Sequence, residues 1–452
     1  MRLELRPLLV VTAVLLLVPQ RVFAGGGGDQ GDVGSVVVLF TAIALAYLLA
    51  HFIVDRLQER FLILTGAEYI LLGLFLGHPD VGVLPDLTKL LPLIALAAGW
   101  VGLLRGMEMD SGHLVNRHER TLRLVFLHHV APGLLVGGAA YWFLWSSEWG
   151  DFFFGHLGVD ALPARTVAAS CFMLGCCAAS DSAEPFDLLM RRYHIEGDLT
   201  ARLRSLARYG DFFVILVFGL TFCVWHLDRE GAELSLSAAE WFLVQLMLGV
   251  TLGALFTPFL GGNESANGRF LALTGIITFA SGAAYFLNLS PLAVNLALGI
   301  LLVNVAATGP LMYDTLRTTE KPMTLILLVL AGALWRMPPV LPTIVVIVGF
   351  VVLRTLGKAI GSRIAAAGVP GMRKDLYRGF LSHGEVTLAM AVSFQVVFDG
   401  PVVDLVYTVV LVSEVVHDIF APRILRGLLV DAGEVRRERR EPTASTETEG
   451  AS

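Results

Sequence analysis

Residues 376–397 read LYRGFLSHGEVTLAMAVSFQVV, an apolar stretch interrupted by Ser382, His383, Gly384 and Glu385. The stretch is near the length of about 20 residues that a helix needs to cross a membrane. Polar, glycine-containing interruptions free backbone hydrogen-bonding groups, and these are tolerated at membrane depth where they line a cavity or are buried in protein. The stretch therefore predicts a discontinuous membrane helix.

A second interruption of the same kind lies in residues 175–185, GCCAASDSAEP, where Asp181 stands between two serines. The two interrupted stretches are the fifth and the twelfth of the apolar stretches along the chain. If the first six and the last six stretches form two inverted repeats linked by the seventh, the two interrupted helices are counterparts.

The composition of the whole chain is that of a polytopic membrane protein. Of its 452 residues 55% are hydrophobic and only 16% are charged, and the mean hydropathy is +0.70. Soluble globular proteins carry about 25% charged residues. The composition thus excludes a soluble enzyme, a disordered chain and a nucleic-acid binder. The net charge of −6 does not indicate a particular class of binding partner. The four cysteines lie in apolar stretches and are interpreted as packing residues.

Hydropathy predicts 13 membrane spans and an all-α fold. The spans are 35–54, 62–78, 88–108, 121–145, 163–180, 209–226, 236–260, 270–287, 290–308, 322–336, 340–361, 376–397 and 401–428. With residue 25 outside, the predicted inner loops and the tail carry 23 arginines and lysines and the outer loops carry two. Because positive charge is retained inside, we expect an outside N-terminus and a cytoplasmic C-terminus, in a bacterial plasma membrane.

The two ends of the chain differ from its apolar body. Residues 1–24 have the pattern of a cleaved signal peptide, with an uncleaved first helix as the alternative. Residues 25–34 are a glycine-rich extracytoplasmic linker, and residues 429–452 are expected to form a solvated, disordered cytoplasmic tail.

Several ionisable side chains fall inside the predicted spans or at their ends, where insertion costs at least about 2.5–3.5 kcal/mol each at the centre of a span. They are Arg105, Glu108, Asp181, Asp211, Arg354, Lys358, Glu385, Glu414 and Asp418. A carrier that exchanges charge requires such groups, whereas channels rarely do. For Arg354 we expect a side chain that reaches the inner membrane surface. For the neighbouring His128 and His129 the alternatives are satisfied polar groups or a proton relay.

Five stretches together resemble the monovalent cation:proton antiporter superfamily, which includes the sodium/hydrogen exchangers. In chain order they are LTGAEYILLGLFLGHP (64–79), LIALAAGWVGLLRGMEMD (93–110), AASDSAEP (178–185), ARYGDFFVILVF (207–218) and VLRTLGKAIGSRIAAAGVPGMRKDLYRGFLSHGEVTLAMA (352–391). The last stretch, which holds a basic helix and a Gly-Glu-Val break, is the most specific.

The resemblance implies an antiporter domain over residues 35–428. Core helices, about 121–226 and 340–428, would slide against a dimer-forming scaffold, about 35–108 and 236–336. The two broken helices would cross at the membrane midplane, and the protein would be a homodimer.

The resemblance also assigns roles to individual residues. Asp211 would be the carboxylate that binds a proton and a cation alternately, with Asp181 and Ser180 at the crossing. Lys358 would be the buried basic residue, and Glu385 would tie the second broken helix to a neighbour.

One departure from the family concerns Gly210, which stands where relatives carry an asparagine or an acid before the ion-site Asp211. This removes a ligand and the usual partner of Lys358. Either Lys358 pairs with Glu414 or Asp181 instead, or the chain is a divergent carrier.

The predicted function is exchange of Na⁺ or K⁺ for protons, without a cofactor. A buried carboxylate binds either a proton or an alkali ion, because both compete for the same oxygens. Asp211, Asp181, Ser180 and Ser182 supply such oxygens, and Lys358, Glu385 and Glu414 are the supporting charges. One alternative is a non-transporting sensor or scaffold that keeps the fold. A third, an organic-anion carrier, is disfavoured because acids outnumber bases in the predicted core helices.

Overall fold

The structure is a computed structural model that describes residues 66–77, 90–110, 119–145, 155, 164–195, 197–227, 236–260, 265–306, 308–367 and 372–435. The predicted signal peptide, the linker, the first span (35–54) and residues 436–452 of the predicted tail lie outside these residues.

Within the described residues the chain forms fourteen α-helices, one short 3-10 helix and no strand. The helices are α1 (Ala67–Gly77), α2 (Leu91–Met107), α3 (Glu119–Trp145), α4 (Ala164–Ala179), α5 (Glu184–Tyr193), α6 (Asp198–Val224), α7 (Ala238–Leu260), α8 (Ala266–Phe286), α9 (Pro291–Val305), α10 (Gly309–Arg317), α11 (Glu320–Ala333), α12 (Val340–Ala367), the 3-10 helix Leu376–Gly379, α13 (Glu385–Val397) and α14 (Pro401–Asp431). Each predicted span from 62–78 onward overlaps with one of these helices. The all-α fold class is therefore confirmed.

Five helical segments of the described chain are long and apolar enough to cross a membrane, if α4 and α5 are taken together as one broken span. Large apolar side chains also remain exposed on the outer helices, among them Leu134, Leu271 and Val340. Since such surface is unfavourable in water and suits lipid, the chain is a multi-pass membrane protein.

Helix α12 is amphipathic in the reverse sense to a helix of a soluble protein. Its apolar side chains at intervals of four residues, from Ile344 through Val352 to Ile364, are exposed. Two of its three charged side chains, Arg354 and Lys358, are fully buried, whereas Arg363 near its end is exposed. This arrangement places lipid-compatible surface outside and two cations inside the bundle, where they must find partners.

Close backbone contacts hold α2 against α9. A Cβ at Gly102 would lie 2.1 Å from the Leu292 carbonyl oxygen, and one at Gly106 would lie 2.3 Å from the Leu296 carbonyl oxygen. Because side chains are absent at these positions, the helices approach as closely as membrane helices with small interface residues do. This packing fixes the end of α2, which carries Arg105.

The described chain continues beyond the predicted start of the tail at residue 429. Helix α14 ends at Asp431, and Glu434 then accepts hydrogen bonds from the backbone N–H of Leu199 (2.6 Å) and of Thr200 (3.0 Å). These groups are unpaired donors of the first turn of α6, which begins after Gly197. A distant carboxylate thus caps a helix whose own N-cap residue has no side chain.

We predict that Glu434→Ala lowers the free energy of unfolding by about 1 kcal/mol, the usual effect of losing an N-cap. Thermal unfolding of the purified protein in detergent measures the effect, with the exposed acid Asp314 changed to Ala as control. A Cβ at Gly197 would lie 1.9 Å from Glu434 Cδ, so Gly197→Ala should displace the cap and add little to Glu434→Ala. Full additivity of the two changes would contradict the capping role.

Candidate ion-binding site

The two predicted helix breaks are confirmed, and they contact each other. Residues Ser180–Ala183 are non-helical and separate α4 from α5. The second break precedes α13 and ends at Gly384, whose φ is +137°. A Cβ at Gly384 would lie 2.8 Å from Ser182 Oγ, so glycine meets both the backbone and the space requirement of the crossing.

Arg354 of α12 joins the two breaks. Its Nη2 donates to the carbonyl oxygens of Ser180 (2.9 Å) and Ser382 (3.2 Å), and its Nη1 donates to that of Leu381 (2.5 Å). These carbonyls need partners because the helices stop, and a guanidinium offers five donors. The expectation that Arg354 reaches the membrane surface is therefore wrong, since the side chain is fully buried.

Asp181 is the centre of a buried cluster of nitrogen atoms. Lys358 Nζ donates to Asp181 Oδ1 and to the carbonyl oxygen of Ala179 (2.6 Å). The Nε2 atoms of His128 and His129 lie 3.3 and 3.1 Å from Asp181 Oδ2. Of the two partners considered for Lys358, the structure therefore pairs it with Asp181 and not with Glu414.

His129 explains why position 210 is a glycine. A Cβ at Gly210 would lie 2.0 Å from His129 Nε2 and 2.3 Å from its Cε1. The imidazole of α3 therefore occupies the space in which a side chain at position 210 would begin. A histidine from another helix thus fills the space of a side chain at position 210, a packing that only the structure reveals.

Asp211 faces a different cation from the one beside Asp181. Its Oδ2 lies 3.7 Å from Arg105 Nε, and its buried Oδ1 has no hydrogen-bond partner among the described residues. The side chain is almost entirely buried. The two predicted acidic ligands thus belong to two adjacent clusters, one around Lys358 and one around Arg105.

Arg105 is surrounded by four carboxylates. Besides Asp211, its Nη1 lies 3.0 Å from Glu108 and its Nη2 lies 2.5 Å from Glu385 and 3.4 Å from Glu320. The side chain comes from α2, whereas its partners come from the end of α2 and from α6, α11 and α13. One guanidinium therefore links helices across the bundle. The sequence indicated only that Arg105 is an ionisable residue inside a predicted span.

The supporting acids and hydroxyls have separate partners. Glu385 accepts a hydrogen bond from Thr324 Oγ1 (2.6 Å) of α11 besides pairing with Arg105 of α2. Glu414 accepts from the Gly384 N–H (3.1 Å). Ser182 Oγ accepts from the Glu184 N–H (3.2 Å) at the start of α5, whereas Ser180 Oγ has no partner within the described chain.

A cavity of about 320 Å³ leads toward the Arg105 cluster. Glu108 lines it together with Asp110, Arg208, Tyr209 and Tyr313, and the Tyr313 hydroxyl donates to Glu108 Oε1 (3.2 Å). Because Glu108 also pairs with Arg105, the cavity ends one side chain away from the guanidinium that faces Asp211.

We predict that Gly210→Ala destabilises the protein by about 1–3 kcal/mol, the cost of overpacking, because Cβ collides with His129. His129→Ala combined with Gly210→Ala should cost less than the sum of the two single changes. Gly138→Ala is the control, since a Cβ there meets nothing within 4 Å. Equal effects of the changes at positions 138 and 210 on thermal unfolding would contradict the packing argument.

Comparison with known proteins finds likeness in structure alone. No protein-family model and no curated protein sequence matches the chain. A structure of the sodium proton antiporter MjNhaP1 from Methanocaldococcus jannaschii at pH 8 superposes with a TM-score of 0.56 and 14% identity, covering 88% of this chain and 97% of that one. An electron-microscopy structure of the same antiporter gives a TM-score of 0.55 and 13% identity, with the same coverage. The chain therefore has the fold of a sodium/proton antiporter.

Proposed function

We propose that the chain is a secondary active transporter that exchanges a monovalent cation, Na⁺ or K⁺, for protons by alternating access. The antiporter fold and the position of Asp211 support this proposal. The observation that carries it is the buried Asp211 Oδ1, which lacks a hydrogen-bond partner among the described residues beside two crossing helix breaks. A buried carboxylate with a free oxygen requires either a proton or a cation.

In the proposed cycle the Arg105 guanidinium pairs with the Asp211 carboxylate when no ion is bound. An entering cation passes Glu108 at the end of the cavity and displaces the guanidinium from Asp211 Oδ2, while Glu385 and Glu108 retain it. A proton discharges the same carboxylate and so releases the cation. The proton and the cation then exclude each other, as exchange requires.

Asp181, Ser180 and Ser182 are proposed as secondary oxygens of the site. In the observed arrangement Asp181 is paired with Lys358, so a cation would bind there only if the lysine moved away. We propose that the Asp181–Lys358 pair neutralises the charge at the crossing of the two breaks. We also propose that the core helices slide on a scaffold within a homodimer. We propose that the exchange needs no cofactor beyond the transported ions. We also propose that the C-terminus is cytoplasmic.

A non-transporting sensor or scaffold is the second candidate. It is favoured by one specific observation, which is that both predicted ion-binding acids already carry a tethered cation, Arg105 at Asp211 and Lys358 at Asp181. If neither cation is displaced by an ion, the fold can persist without exchange.

We predict that Asp211→Asn abolishes cation-driven collapse of a preset pH gradient in proteoliposomes. The amide keeps the shape of the side chain but cannot take up a proton or balance a cation. Na⁺, K⁺ and Li⁺ are added in turn, and the ion that collapses the gradient is the substrate. Asp404→Asn is the matched control, because Asp404 lies on α14 and pairs with Gln395 (2.6 Å) away from both clusters.

The sensor candidate makes the opposite prediction for that assay. Native protein that is folded and inserted would then leave the pH gradient intact with every ion, at each pH from about 6 to about 9. Equal flux through the native protein and the Asp211→Asn variant would also reject Asp211 as the exchanging group.

We predict that removing Arg105 increases the apparent affinity for the transported cation. The double variant Arg105→Gln/Glu385→Gln removes one charge of each sign, so the net charge of the cluster is unchanged. Loss of the competing guanidinium should lower the half-saturating cation concentration about tenfold, which equals about 1.4 kcal/mol. Arg105→Lys should restore part of the competition, and Arg336→Gln, at an exposed pair with Asp399, is the control. An unchanged or higher half-saturating concentration would refute displacement.

A further inference from the structure

A second and smaller cavity, of about 30 Å³, lies beside the second helix break, and neither Asp181 nor Asp211 lines it. Four of its lining residues are acidic and none is basic. The acids are Glu184, Glu385, Glu414 and Asp418, and the other lining residues come from the start of α1, from α11, α13 and α14. The volume suffices for one water molecule or one small ion.

The acids of this cavity are oriented by the break itself. Gly384 N–H donates to Glu414 Oε1 (3.1 Å), and Ser382 Oγ donates to Asp418 Oδ1 (2.9 Å). The two carboxylates, one turn apart on α14, are therefore held toward the same non-helical segment. Such fixed side chains form a built arrangement and not merely an accumulation of acidic residues.

Glu414 forms no ion pair with any side chain in the described part of the protein. Glu414 is only 7% exposed, and its Oε2 has no hydrogen-bond partner. The cations of neighbouring helices are engaged elsewhere, since Arg354 binds backbone carbonyls, Lys358 pairs with Asp181 and Arg105 pairs with Glu385. A buried carboxylate without a paired cation must either be protonated or bind a cation, and the cavity beside Glu414 leaves space for the second.

The donor set favours a monovalent metal ion. Carboxylate and hydroxyl oxygens are hard ligands. Among the described residues no three acidic, histidine or cysteine side chains converge closely enough to ligate one metal ion, so at most two carboxylates can bind an ion here directly. Two carboxylates are fewer than the six to eight oxygen ligands that Ca²⁺ usually takes. A singly charged ion of the size of this cavity can bind to the Glu414 and Asp418 oxygens.

We propose that Glu414 and Asp418, with Glu184 and Glu385 at the cavity wall, form a second cation site that binds one alkali ion without Asp211 as a ligand. The site is assembled from the second break, from α14 and from the α1 and α11 residues that close the cavity. The ion therefore stabilises this relative position of the helices, whether or not the chain transports.

Equilibrium binding of ²²Na⁺ to the purified chain in detergent tests the proposal, with unlabelled Na⁺, K⁺, Li⁺ or choline as competitors. The expected result is saturable binding that persists in Asp211→Asn and that alkali ions, but not choline, displace. Adding Glu414→Gln keeps an oxygen that accepts from the Gly384 N–H. It should lower the affinity for Na⁺ at least tenfold. Adding Asp404→Asn to Asp211→Asn instead should leave it unchanged.

Two outcomes would overturn the second site. One is the absence of saturable binding in folded Asp211→Asn protein, and the other is full binding in the triple variant Asp211→Asn/Glu414→Gln/Asp418→Asn. A thermal melt with and without NaCl verifies that each variant is folded. Because this assay measures no flux, failure of exchange in proteoliposomes and failure of the second site are separate results.

Discussion

The structure depends on two cations that one helix buries at the point where two others stop. Lys358 and Arg354 lie one turn apart on α12, and together they bind the carbonyl oxygens of both breaks and the carboxylate of Asp181. Unsatisfied backbone groups at membrane depth cost several kcal/mol each. Because both cations come from a single helix, α12 also determines where the two breaks lie relative to each other.

The pairing of Asp181 with Lys358 shapes the rest of the site. It draws two histidines of α3 to the remaining oxygen of Asp181, and His129 in turn excludes a side chain at Gly210. Asp211 is left with Arg105, a cation carried by α2 that also holds Glu385. Each of the two acids therefore has its own internal cation, and an ion that uses either of them must compete with it. Glu414 differs from both acids, because no cationic side chain among the described residues forms an ion pair with it.

Hydropathy and local chemistry predicted much of this architecture. Apolar length located the helices, because every backbone group inside a membrane must be satisfied within its own segment. Polar residues inside apolar stretches located both breaks for the same reason. The prediction failed for Arg354, since the distance of a side chain from the surface depends on which neighbouring helices supply acceptors. It left the partner of Lys358 undecided because Asp181 and Glu414 are both distant in sequence.

The sequence by itself determined the membrane class, the helical fold, the two interruptions and the acids and bases that have to be buried. These properties are local, since they follow from the cost of placing each residue in lipid. Only the tertiary structure decided which cation meets which carboxylate, why Gly210 has no side chain, and where a buried carboxylate oxygen remains without a hydrogen-bond partner among the described residues. Those outcomes depend on contacts between helices that are far apart in the chain, and spacing along one helix does not specify them.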